Sequence, residues 1–391
     1  MLQNEDEEKS KILLESQSPA CDITALVEDD GETIYFYLYG PQEAIPQGQD
    51  PDHFVPVRPC FVTNKKQQNK SHGYEVSPIL ARMRDGQSAP VPAKFCNDST
   101  PSELNPSELE VVFLEEGDSA ALFYQNKIIA AIPAWGITSD GTLGYSAELS
   151  SQFMDTKPLS EMPKELLDRI LAARKFWENW QLPGTEVQYF ETYYSALQNT
   201  FGEHAYHAPI ETEKWPPKIV YIFEKPEATI FATVGTSILA QPCLEPYNAT
   251  SQALRRFEVA MALSPEIMNE VPLEYIVSLL RDIAFAPWLQ MMWFGANQAL
   301  LYPLKLPENQ SGKPYVALLF TKAELGAPKP KFPAYRGDEI NFLWAIPITE
   351  SEFNYHASLN NAKAGTPSLI EHMQEKKISW IHTSRESVVA K

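Results

Sequence analysis

The chain has 391 residues, is 44% hydrophobic and carries a formal net charge of -19. This composition excludes a disordered chain, and the length predicts two domains. Residues 1–160 hold 25 acidic and 11 basic side chains, against 26 and 21 in residues 161–391. The acidic first part would repel nucleic acid and attract a basic protein partner, although acidity that only serves solubility is the plainer interpretation.

The start of the chain lacks a signal-peptide pattern, because residues 1–8 are acidic where such a segment begins with basic residues. No apolar run approaches about 18 residues, so we predict no membrane-spanning helix. The cysteines are widely scattered and favour free buried thiols over a disulfide framework; they are Cys21, Cys60, Cys96 and Cys243. Together these features predict a cytoplasmic protein.

Residues 1–155 predict an acidic, mostly antiparallel β domain. A polar tail over residues 1–18 contains a short helical pattern at residues 9–15. Pro56 and Pro59 interrupt a later apolar run and place it at a sheet edge. Apolar runs between turn residues predict strands at residues 33–39, 54–63, 109–114, 120–124 and 127–132.

Residues 156–391 predict a second domain with a mixed sheet, entered through a bridging helix at residues 159–182. The apolar spacing of three, four and seven residues predicts further helices; they cover residues 187–201, 273–285 and 368–374. Two apolar islands predict core strands; these lie at residues 219–223, 229–237 and 256–263, and then at 341–353. With another buried strand at residues 316–320, the pattern predicts an α+β (mixed α/β) fold.

His204 and His207 are the first candidates for a metal site, because they lie three residues apart. A zinc site needs a third ligand and usually an orienting carboxylate, and only Glu203 and Glu211 are near in sequence. The segment is predicted to be a loop and has no HExxH pattern. A structural or surface role is therefore the stronger interpretation.

Nucleophile motifs are incomplete throughout the chain. Ser237 follows Gly235 but lacks the second glycine of a nucleophile elbow, and Ser119 lies in a predicted hairpin turn. Cys243 has no basic sequence neighbour, and residues 311–313 lack the upstream glycine of a phosphate-binding loop. We predict no catalytic residue, no cofactor site and no metal site.

Two other features have competing interpretations. Arg256 and Glu258 lie two apart on a predicted strand and face the same side, either as a buried charge pair or, more favoured, on a solvated face. The aromatic and methionine run at residues 288–294 forms either an exposed patch for a partner or, more often for such residues, part of the core.

Several segments in the second half, taken in order, resemble the suppressor of fused family. They are Trp215-Pro216-Pro217, Tyr221-Ile222-Phe223, residues 233–237, 256–263 and 342–352, Ser379-Trp380-Ile381 and Arg385-Glu386-Ser387-Val388. The resemblance covers about residues 186–391. The first 155 residues are similar to an N-terminal extension of bacterial members.

The resemblance implies a protein-binding function. The animal member of the family clamps an extended peptide of a transcription factor by strand addition, and bacterial members are similar to immunity proteins that neutralise toxins. The family's peptide-contacting residues do not map onto identifiable positions, so the partner-binding residues remain unassigned. We expect a non-enzymatic protein that sequesters or neutralises a protein partner, such as a basic toxin or extended peptide, without nucleic acid or membrane.

Two alternatives stay open. One is a hydrolase with an unrecognised site that uses Ser237, His204 or His207. The other is a structural subunit of a larger assembly, which differs from a binding protein in requiring permanent association.

Overall fold

The computed structural model describes residues 10–40, 57–65, 88–134, 141–179, 182, 184–212, 216–244, 251–359 and 366–389. They divide into two compact units. The first comprises Met1–Gln181, Pro242–Ala249 and Trp288–Met292, and the second comprises Leu182–Gln241, Thr250–Pro287 and Trp293–Lys391. The predicted domain boundary near residue 155 stays a prediction, because compact units do not show which segments fold independently.

The first sheet of the first unit contains four antiparallel strands in sequence order. They are β1 Lys11–Gln17, β2 Thr24–Asp29, β3 Thr33–Tyr39 and β4 Val57–Asn64. The edge position predicted for the proline-interrupted run is confirmed by β4, while residues 54–56 lie outside the described residues. The helical pattern predicted at residues 9–15 is wrong. Residues 11–17 are extended because their pairing with β2 outweighs local helix propensity.

The second sheet of this unit has the order β5-β6-β7-β8-β9. Its strands are β5 Leu109–Phe113, β6 Ala120–Tyr124, β7 Lys127–Ile132, β8 Gly144–Ser146 and β9 Thr156–Pro158. The three predicted antiparallel strands are confirmed as β5, β6 and β7. The two sheets meet closely where Gly144 faces Cys60, since a β-carbon at Gly144 would lie 2.8 Å from the Cys60 sulfur.

Helix α1, Lys164–Asn179, covers the second sheet. Leu166, Ile170 and Ala173 recur at helical spacing and pack with Val112 and Phe123 in one buried cluster. The predicted helix at residues 159–182 is therefore present but shorter, and a 3-10 turn, Leu159–Glu161, precedes it.

The second unit is built on a seven-stranded mixed sheet with the order β10-β11-β12-β13-β16-β15-β14. Its strands are β10 Tyr206–Glu211, β11 Lys218–Glu224, β12 Thr229–Val234, β13 Arg256–Leu263, β14 Ala299–Leu301, β15 Tyr315–Thr321 and β16 Ile340–Thr349. Neighbouring strands are antiparallel except β13 and β16, which are parallel. Every residue of β13 is buried, as its apolar residues predict for a central strand, and the burial includes Arg256 and Glu258.

The helices of the remaining chain cover and connect this sheet. They are α2 Thr185–Phe201, α3 Ser251–Leu254, α4 Pro265–Met268, α5 Leu273–Gln290, α6 Glu350–Ser358 and α7 Leu369–Glu375. Helix α2 buries Tyr189, Tyr193, Leu197 and Phe201, which are spaced by four residues and form one stripe. The Phe201 ring reaches the sheet, 5.3 Å from the ring centre of Phe223.

The second apolar island ends differently from its prediction. The strand stops at Thr349, and residues 350–353 begin α6. A capping box between Thr349 and Glu352 supplies partners for the first helical N–H groups and so starts the helix. The strands and helices together confirm the α+β fold class. No helix in the described part of the chain is long and apolar enough to cross a bilayer.

Candidate protein-binding surface

The sheet of the second unit has two edge strands, β10 and β14. Within the described residues, β10 pairs with β11 alone and β14 pairs with β15 alone. An edge strand presents a row of backbone N–H and C=O groups that an extended peptide can join. The two edges are therefore the candidate binding sites for a peptide.

Strand β14 is short and carries an exposed apolar side chain. Leu301 is 62% exposed, whereas Ala299 and Leu300 are half-buried. The backbone beyond the strand is held by two tyrosines: the Tyr302 hydroxyl donates to an Asp282 carboxylate oxygen at 2.5 Å, and the Lys305 N–H donates to the Tyr275 hydroxyl at 2.7 Å. Burial and the Asp282 carboxylate raise the pKa of Tyr302 to about 12, so this tyrosine stays a donor at neutral pH. These two hydrogen bonds hold the backbone that follows β14, while the Leu301 side chain faces solvent.

Strand β10 adjoins a group of four rings that we call the ring cluster: Tyr194, His204, His207 and Tyr221. Five of the six pairs of ring centres lie 4.6 to 6.1 Å apart. The Tyr194 hydroxyl is 2.7 Å from Nδ1 of His204, which fixes the orientation of that imidazole. The loop predicted around the two histidines is wrong at His207, which lies in β10 and pairs with Tyr221. Among the described residues, no group of three or more His, Cys, Asp or Glu side chains could hold a metal ion.

A fully buried carboxylate, that of Glu258, organises the turn after β12. Its Oε1 accepts from the Gly235 and Ser237 N–H groups, both at 3.0 Å, and from the Ser237 hydroxyl at 2.5 Å. Its Oε2 accepts from the Thr233 hydroxyl at 2.7 Å. Burial raises the pKa of Glu258, and these hydrogen bonds oppose that effect. Residue 235 has to be glycine, because its φ is 111° and a β-carbon there would collide with the Pro217 carbonyl oxygen.

Ser237 is therefore a buried structural residue in this arrangement. Its hydroxyl also contacts the Tyr189 hydroxyl at 2.6 Å, so it links helix α2 to Glu258. Sequence reasoning proposed Ser237 with His204 or His207 as alternative hydrolase residues. The structure gives Ser237 the partners Glu258 and Tyr189, and gives His204 the partner Tyr194.

The solvated face favoured for Arg256 and Glu258 is wrong, because both side chains are fully buried. They do not form the pair considered from sequence. Arg256 donates to Asp338 at 3.0 Å and to the Ser237 and Ile238 carbonyl oxygens. Alternation along a strand showed that the two residues share a side, but it could not show that α2 and the 235–238 turn cover that side.

The other residues considered from sequence are mainly buried. Ser119 is buried in the β5–β6 turn and donates to Glu116 at 2.5 Å. Cys243 is a buried free thiol, as predicted. In the run at residues 288–294, the core interpretation is confirmed for Trp288, Met291 and Phe294, which are buried.

A comparison with known protein families gives a match that covers most of the second unit. Residues 214–385 match the family model described as suppressor of fused protein (SUFU). The chain carries a suppressor of fused domain. A comparison with curated proteins gave no match. The resemblance identified from the sequence is thus confirmed for this segment, although Trp215 lies outside the described residues.

The suppressor of fused domain includes the edge strand β14, the Glu258 turn and the central strands, whereas β10 precedes it. Domains of this family are protein-binding modules. Its last matched residue, Arg385, is buried and pairs with Glu352, whose carboxylate also accepts from the Thr349 N–H and hydroxyl and from the Val388 N–H. The ion pair between Arg385 and Glu352 therefore connects the end of the domain with the start of α6.

A cleft of about 360 Å³ lies beside this ion pair. It is lined by Asn309, Ser311, Lys313, Pro314, Thr349, Glu350, Ser351, Asn354, Glu386, Ser387 and Val389. The Ser351 and Ser387 hydroxyls are 2.9 Å apart and satisfy each other. Because its charged side chains carry both signs, the cleft offers no clear preference for an anion or a cation.

Proposed function

We propose that this protein is a cytoplasmic, non-enzymatic binding protein that sequesters or neutralises a protein partner, as an immunity or sequestering factor. The partner adds an extended segment to the edge strand β14. The observation that carries this proposal is the free edge of β14 inside a suppressor of fused domain, with Leu301 62% exposed beside it. Backbone hydrogen bonds would supply affinity, and the Leu301 side chain would contact the partner's apolar residues.

The acidity of the chain supports a basic partner. The formal net charge is -19, and the excess of acidic residues is largest in residues 1–160. Long-range attraction between opposite charges raises the association rate and weakens as salt increases. A basic protein fits this charge, and the resemblance to immunity proteins makes a toxin our proposed partner.

Affinity capture with the intact protein, followed by mass spectrometry, tests the proposal. We expect one basic protein at equal stoichiometry, with binding that weakens as salt rises. The Leu301→Asp variant should lose the partner, since a charge on the edge opposes strand addition. The matched control is Leu171→Asp on α1, because Leu171 is 59% exposed and lies in the other unit.

Three results would count against the proposal. If Leu301→Asp retains the partner, β14 is excluded as the site. If Leu171→Asp also loses the partner, the loss points to misfolding of the variants. Recovery of no stoichiometric partner from the native cell would contradict sequestration. A screen against ester, phosphate and glycoside substrates tests the non-enzymatic part, which fails if turnover disappears in Ser237→Ala or His207→Ala.

A further inference from the structure

We propose that β10 and the ring cluster form a second docking surface, which takes an extended peptide carrying an arginine or lysine side chain. Strand β10 precedes the suppressor of fused match, whereas Tyr221 of the ring cluster lies inside it, and the surface does not depend on β14. Tyr206 is 58% exposed and His207 is also exposed, so the strand is accessible to solvent. Within the described residues its only strand neighbour is β11.

The ring cluster offers the faces that a cation recognises. The Tyr221 ring lies 4.6 Å from Tyr194, 5.2 Å from His204 and 6.1 Å from His207, measured between ring centres. An arginine or lysine within about 6 Å of a tyrosine ring centre is attracted by the ring quadrupole, and in this cluster Tyr194 and Tyr221 supply that face. Because His207 is the exposed member, an incoming side chain would reach the cluster over this ring.

The charge around the surface is mainly acidic, with a lysine cation nearby, since a β-carbon at Gly202 would lie 3.2 Å from the Lys225 ammonium nitrogen. The segment from Thr185 to Glu211, which contains α2 and β10, has four glutamates and no lysine or arginine. Glu203 accepts from the Tyr194 hydroxyl at 3.2 Å and so lies beside the rings. On the neighbouring strand, Lys218 is buried with its ammonium over the Phe285 ring, 4.2 Å from the centre.

The register of the sheet connects the edge with the rings. His207 pairs with Tyr221 across β10 and β11, so both side chains lie on one face. A strand added outside β10 would place the residue opposite His207 on that same face, next to the rings. Tyr206 lies on the opposite face by strand alternation and is not part of this contact.

Synthetic peptides provide the test. Fluorescein-labelled, end-blocked heptapeptides alternate threonine and valine around one central residue, which is arginine, lysine, glutamine or glutamate. Fluorescence anisotropy measures their binding to the full chain. We expect the arginine peptide to bind about 3- to 30-fold more tightly than the glutamine peptide, and the glutamate peptide to bind weakest.

Variants assign the site. His207→Ala should remove most of the preference for arginine over glutamine, while Tyr206→Ala, which removes an exposed ring from the other face of β10, should keep it. Tyr221→Leu should reduce the preference without opening a large cavity. Circular dichroism of each variant confirms that it is folded.

Failure here is distinguishable from failure of the β14 proposal. Equal binding of the arginine and glutamate peptides, a preference that survives in His207→Ala, or no binding of any peptide overturns the β10 surface. If Leu301→Asp instead abolishes peptide binding, the peptide occupies β14, and the β10 surface is also overturned. The captured partner's response to Leu301→Asp reports on β14 alone.

Discussion

The buried carboxylate of Glu258 holds the turn after β12, and two substitutions separate its acceptor role from its charge. Glu258→Gln keeps the shape of the side chain and one carbonyl oxygen for the Gly235 and Ser237 N–H groups. Its amide nitrogen can donate to the Thr233 hydroxyl, which then donates to the Val259 carbonyl oxygen, 3.2 Å away. Glu258→Ala removes every one of these contacts.

The expected loss follows from the two backbone donors. In Glu258→Ala the hydroxyls of Ser237 and Thr233 keep their contacts with Tyr189 and Val259, but the two buried N–H groups lose their acceptor. Each unsatisfied buried donor costs about 1–3 kcal/mol, so we expect a loss of about 4 kcal/mol in the free energy of unfolding. Glu258→Gln should lose no more than about 1–2 kcal/mol, because only one amide hydrogen lacks a partner.

Urea unfolding followed by tryptophan fluorescence measures the difference. With a slope of roughly 2–3 kcal/mol per molar urea, the alanine variant should unfold at about 1.5 M less urea. Hydrogen exchange of residues 229–238 should rise in the alanine variant and stay slow in the glutamine variant. Equal stability of the two variants would refute the view that the carboxylate holds this turn.

The pH dependence gives an independent check on the charge. Because burial raises the pKa of Glu258 above its usual 4.5, the folded protein binds the proton more tightly than the unfolded chain does. The stability contributed by that proton is present below pH 4.5 and is lost as pH rises through the folded pKa. The free energy of unfolding of Glu258→Gln should therefore rise relative to that of the native protein as pH increases from 4.5. A difference between the two that stays constant with pH would contradict this.

Three further predictions concern buried ionisable side chains in the suppressor of fused domain. Arg385→Ala should cost about 3–5 kcal/mol because Glu352 keeps a buried, unpaired charge, and the double variant Arg385→Met with Glu352→Gln should cost less in the same urea assay. Burial lowers the pKa of His382 from 6.5 to about 3, so stability should fall by up to about 4–5 kcal/mol between pH 6.5 and 3, and His382→Phe should flatten that fall in thermal scans. Burial also lowers the pKa of Lys218 from 10.5 to about 8, so the charged side chain destabilises the folded protein at pH 7. Lys218→Met should therefore be up to about 3 kcal/mol more stable than the native protein at pH 7, and urea titrations should show no such advantage at pH 10.5.

The central strands could be predicted from sequence because their signal is local. β11, β13 and β15 contain apolar runs that predict strands, although the alternating Arg256 and Glu258 at the start of β13 favoured a solvated face that the structure does not have. The helix stripe of α2 was equally visible, since Tyr189, Tyr193, Leu197 and Phe201 are four residues apart.

The edges could not be predicted in this way. β1, β10 and β14 are polar or short, and each is extended because a neighbouring strand pairs with it, which a local pattern does not show. The candidate binding surfaces lie at two of these three strands. The burial of Arg256 was missed for a related reason, since its partner Asp338 is distant in sequence.

The parallel pairing of β13 with β16 has a consequence for synthesis of the protein. Residues 264–339 separate the two strands, so β13 leaves the ribosome well before its neighbour exists. At about 5–20 residues per second, the nascent chain waits roughly 4–15 s with one side of a largely apolar strand uncovered. Chaperones that bind extended apolar segments would have their main opportunity on this chain during that interval.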